Sequence, residues 1–80
     1  MRVMSIETSK GIPDIIDLAV AYFNGHFGLN VSEYIPECCA EFRDEKNRIT
    51  IQVIPKGFQN EVILTSQAWE YQIFDFLKAL

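Results

Sequence analysis

The chain has 80 residues, 49% of them hydrophobic and 22% charged, with four glycines and three prolines; this excludes a disordered or low-complexity chain and leaves room for a single domain, residues 1–80. Seven Lys and Arg against eleven Asp and Glu give a net charge of −4. Residues 12–42 carry Asp14, Asp17, Glu33, Glu37 and Glu41 with no Lys or Arg, and without clustered cations to displace phosphate counterions or meet anionic lipid, neither nucleic acid nor a membrane is an expected partner.

Residues 2–7, Arg-Val-Met-Ser-Ile-Glu, read equally as a short leading strand or as an arm, broken by Thr8-Ser9-Lys10-Gly11. Pro13 suits the first turn of a helix, where its missing N–H costs nothing, and Asp14 follows where negative charge favours the helix dipole. Ile15, Ile16, Leu18, Ala19, Tyr22 and Phe23 recur at helical spacing, with Asp14, Asp17 and Asn24 on the opposite side. Gly25 or Gly28 is the expected stop.

Leu29 to Pro36 reads as a connection. Cys38, Ala40 and Phe42 then alternate with Glu37, Cys39, Glu41 and Arg43 at the period of a half-buried strand. Asp44-Glu45-Lys46-Asn47 is the polar turn into Arg48-Ile49-Thr50-Ile51-Gln52-Val53-Ile54, which places Ile49, Ile51 and Val53 inward. Pro55 to Asn60 reads as a loop, Glu61-Val62-Ile63-Leu64 as a third strand, and Ser66 as the cap of a second helix from Gln67 to about Leu80. The expected architecture is α+β: a three-stranded antiparallel sheet with two helices packed on one face, in the order α-β-β-β-α, with or without the leading strand. A chain of this size buries only about 60–65% of its unfolded surface, so a partner adds stability.

That element order resembles the double-stranded-RNA-binding domain, a likeness that implies lysines at the start of the second helix meeting phosphates. Ser66-Gln67-Ala68-Trp69-Glu70 has no Lys or Arg there, and Asp14 and Asp17 stand on the first helix, so the resemblance implies topology without the RNA chemistry. Ala19-Val20-Ala21-Tyr22-Phe23 and Ile51-Gln52-Val53-Ile54-Pro55-Lys56 resemble segments of small accessory subunits of His-Xaa-Ser peptide-maturation systems, over stretches too short to transfer a role.

No apolar run reaches the ~20 residues that cross a bilayer, and Met1 to Ser5 lacks the apolar core of a signal peptide. The expected location is the cytoplasm. Cys38 and Cys39 are neighbours; on a regular strand their side chains point to opposite faces, so the expectation is two reduced thiols, Cys38 shielded and Cys39 open, and no zinc site. His26 between Gly25 and Gly28, and Lys56 beside Gly57, read as a helix end and a solvated lysine. No constellation carries a catalytic, metal-binding or cofactor signature, so neither an enzyme nor a cofactor is expected.

Trp69, Ile73, Phe76, Leu77 and Leu80 form one stripe of the second helix. Tyr71 and Phe74 fall roughly 150° away at ~100° per residue, beside Lys78, where solvent is expected. Tyr71, Phe74 and Lys78 are therefore the candidate partner interface of a non-enzymatic, self-associating or accessory interaction module. The alternative is a small-molecule or minor enzymatic site on the open sheet face around Cys39, Glu41, Thr50 and Gln52.

Overall fold

The computed structural model describes residues 2–80. Five strands, not three, form one antiparallel sheet: β1 (Arg2–Thr8), β2 (Asn30–Ile35), β3 (Cys39–Arg43), β4 (Arg48–Lys56) and β5 (Gln59–Ser66), in the spatial order β1-β5-β4-β3-β2. Helix α1 (Ile12–Ala19) runs on without a break into a π-helical segment, Val20–His26, and α2 (Glu70–Lys78) ends the fold. The expected α-β-β-β-α order is thus embedded in a wider sheet whose two additional strands flank both edges, so the likeness to the RNA-binding domain does not extend to the sheet.

The inward rows follow from alternation. Ile49, Ile51 and Val53 of β4 face the core as expected, beside Ala40 and Phe42 of β3 and Val62 and Leu64 of β5. Ile15, Ile16, Ala19 and Phe23 close over them from one helix, and Ile73, Phe76 and Leu77 from the other. All belong to a single core cluster, so both helices cover the same sheet face. Phe23 is its aromatic centre, 5.3 Å from the Phe42 ring and 5.4 Å from Phe76.

The leading segment is a strand. Seven consecutive residues of β1 pair with β5, from Arg2 opposite Ser66 to Thr8 opposite Asn60. Met4 and Ile6 pack against the core, while Val3 on the other face is 60% exposed. The predicted connection Leu29–Pro36 contains β2, which is exposed along its whole length and shifts register between Val31 and Glu33. Its anchors are polar: Tyr34 Oη donates to Asp17 Oδ1 of α1 at 2.8 Å, and Ser32 Oγ donates to Glu41 Oε1 of β3 at 2.6 Å.

The loop predicted over Pro55–Asn60 is the tip of a two-residue hairpin closed by the Lys56–Gln59 pair. Gly57 takes φ +65° there, the left-handed conformation that such primed turns require. Gly28, at φ +75°, ends the first helical run: its N–H donates to Asn24 O at 2.9 Å, and Leu29 N–H reaches back to Phe23 O at 3.0 Å.

Ser66 does not cap α2. It is buried, and its hydroxyl accepts from Ala68 N–H at 3.0 Å, stabilising a turn between β5 and the helix. The residue preceding α2 is Trp69, at φ +70°, a conformation that costs a bulky residue about 1–3 kcal/mol. Its ring packs on the core and meets Phe27 edge-on at 5.4 Å. Helix α2 is consequently shorter than the predicted Gln67–Leu80 run.

Candidate functional site

Helix α2 lies beside β1 and is tied to both ends of that strand. Arg2 at the start of β1 grips Glu70 with both guanidinium arms, Nε to Oε1 at 3.1 Å and Nη2 to Oε2 at 3.2 Å. Thr8 Oγ1 at the other end donates to the Leu80 carbonyl at 3.4 Å. These ties fix the rotation of α2 so that Ile73, Phe76 and Leu77 turn inward and Tyr71 and Phe74 turn out.

The three predicted interface residues lie together on that outer side. Tyr71 is 84% exposed and Phe74 50%. Lys78 Nζ stands 5.0 Å over the Phe74 ring and 3.7 Å from Asp75 Oδ1. The buried half of Phe74 forms one wall of a shallow groove of about 590 Å³, completed by Met4, Ser5 and Ile6 of β1 and by Leu77 and Leu80. Groove and strand edge are continuous: β1 pairs with β5 on one side and, among the described residues, carries no strand on the other. It has no proline and no register shift, whereas the opposite edge, β2, is irregular at Ser32. Sequence reading singled out the helix residues but missed this edge, because its outward Val3 and inward Met4 and Ile6 blur the alternation that marks a one-sided strand.

The alternative site also assembles. Cys39 lies opposite Gln52 and Glu41 opposite Thr50, adjacent pairs on the helix-free face. Glu41 is already engaged there, accepting from Ser32 Oγ, from Arg43 Nε at 2.9 Å and lying 3.7 Å from Arg48 Nε. The Ser32 hydrogen bond, aided by the two guanidinium groups, holds its carboxyl below the ordinary Glu value against a partial desolvation that acts the other way. A carboxylate kept ionised and satisfied in this way serves as a fixed charge joining β2, β3 and β4. Asp44, in the β3–β4 turn, is likewise held low by the backbone N–H groups of Lys46 and Asn47 at 2.8 and 2.6 Å.

The remaining candidates separate. His26 stacks on Tyr22 at 6.1 Å and meets Phe27 edge-on at 4.7 Å, as part of an aromatic cluster. Lys56 pairs with Glu61 across the hairpin at 3.7 Å. Among the described residues no group of three or more His, Cys, Asp or Glu is placed to hold a metal ion, and no helix is long and apolar enough to cross a membrane. The expectation of two reduced thiols is overturned, since Cys38 and Cys39 are joined to each other by a disulfide. Their opposed directions on a strand do not apply, because Cys38 lies in the turn before β3 and only Cys39 is in the strand. Phe58, which drew no attention as a loop residue, projects wholly into solvent at the β4–β5 tip.

No protein-family model, no curated protein and no solved structure matches the chain.

Proposed function

We propose that the chain is a protein-interaction module that associates with a second copy of itself through the free edge of β1 and the outer face of α2. The observation that supports this most is the unprotected edge: seven regular residues of β1, without a bulge or a proline, beside an apolar groove and two exposed aromatics. Such an edge is a template for another strand, and soluble proteins ordinarily blunt it.

The edge is self-complementary. Antiparallel pairing about a two-fold axis at Ser5 sets Met4 against Ile6 of the second copy on the helix side, and Val3 against Glu7 on the open side. The two α2 helices then flank the junction from the same face, which brings each Phe74 towards the new strand pair and extends the sheet continuously through both copies. Phe74→Asp tests the reading: a folded monomer that no longer associates supports it, while loss of the fold places Phe74 in the monomer core and refutes it.

A further inference from the structure

We infer that Cys38–Cys39 is a reversible two-electron thiol–disulfide site that exchanges with dithiols and is not a structural cross-link. A disulfide stabilises chiefly by closing a loop of the unfolded chain, and this one joins adjacent residues and encloses none. The backbone around it is held by other means. Cys38 N–H donates to Ile35 O at 3.0 Å across the Pro36-Glu37 turn, and Cys38 O accepts from Val53 N–H of β4 at 2.8 Å. Cys39 keeps its register with Ile35 on one side and Gln52 on the other. With these bonds in place the sulfur–sulfur link is redundant for the fold, and what it adds is chemistry.

The site is open to that chemistry. Both cysteines are part-exposed, and Cys39 stands on the sheet face that neither helix covers, in a row with Ile35, Gln52, Ile63 and Ser5. A thiolate of the dithiol attacks one of the two sulfurs, forming a mixed disulfide while the Cys38–Cys39 bond breaks and the other cysteine leaves as a thiolate that takes up a proton. The second thiolate of the reductant then attacks the mixed disulfide and expels the remaining cysteine, which is protonated in turn. Two electrons have passed to the pair, the dithiol has become a cyclic disulfide, and a disulfide of suitable potential drives the reverse reaction.

The experiment titrates the folded protein, equilibrated in oxidised glutathione, with dithiothreitol, quenches with N-ethylmaleimide and counts adducts by intact mass. The expected result is no adduct before reduction, two adducts under native conditions after it, an unchanged circular dichroism spectrum, and return to none on reoxidation. The double variant Cys38→Ser/Cys39→Ser should melt within about 3 °C of the oxidised protein. Two adducts before any reductant, a pair that reacts only in denaturant, or a reduced or double-variant chain that unfolds would each overturn the inference.

Discussion

Replacing Phe74 by Asp perturbs the monomer and the proposed dimer by different amounts, which makes it the most informative single change. Half of the ring is already in water, and since complete burial of such a side chain is worth ~1.5–3 kcal/mol, about 1 kcal/mol of groove packing is lost in the monomer. The exposed cation–π contact with Lys78 contributes ~0.5 kcal/mol or slightly more, and the new Asp four residues before Lys78 returns ~0.3–0.5 kcal/mol as a helical ion pair. The monomer should therefore remain folded with a Tm lowered by roughly 4–8 °C. In the proposed dimer the exposed half of each ring would be buried at the junction, and truncating an aromatic anchor of this type costs ~2 kcal/mol or more per copy. Two-fold symmetry doubles the effect to about 4 kcal/mol, close to a thousandfold in Kd. Sedimentation velocity reads the association and circular dichroism the fold. A variant that associates as tightly as the parent, whatever its Tm, refutes the assignment of this surface.

The other expectations concern the scaffold. Glu41 is held below the ordinary Glu value in the folded state, so its contribution is present above the unfolded carboxylate pKa of about 4.3 and is lost as pH falls through the lower, folded value; the Tm gap between the parent and Glu41→Gln should close in acid, and a gap unchanged from neutral pH to about 3 contradicts this account. Phe23 is fully buried between Phe42 and Phe76, so Phe23→Ala should cost ~3–5 kcal/mol, a large share of the total for a domain of this length; a urea midpoint close to that of the parent would show that the centre of the core lies elsewhere.

How much of this was legible in the sequence depended on whether an element has one buried face. Strand β4 did, and Ile49, Ile51 and Val53 point where alternation put them. So did α1, although its continuation as a π-helix through His26 left no mark in the apolar spacing. Strand β2 buries no residue and is held by its backbone ladder to β3 and by the Tyr34 and Ser32 side chains, so burial periodicity had nothing to register. In β5 the paired stretch runs on through Thr65 to Ser66, which read as a helix cap, and Trp69 in a left-handed conformation delayed the start of α2. The cysteine pair was misread for a related reason: alternation holds within a strand, and the turn after Pro36 places Cys38 just outside one. Tyr71 and Phe74 were visible because a regular helix places every residue at a known angle; the β1 edge beside them became visible only with the sheet order.

Self-association through β1 and α2 is most directly tested by the weight-average mass of the purified chain, measured by multi-angle light scattering from about 1 μM to 1 mM, the range over which a modest protein contact is half-saturated. The account predicts a mass that climbs from 9.2 kDa towards twice that value and stops there, as a closed two-fold pair requires. A mass fixed at 9.2 kDa across the whole range would contradict it.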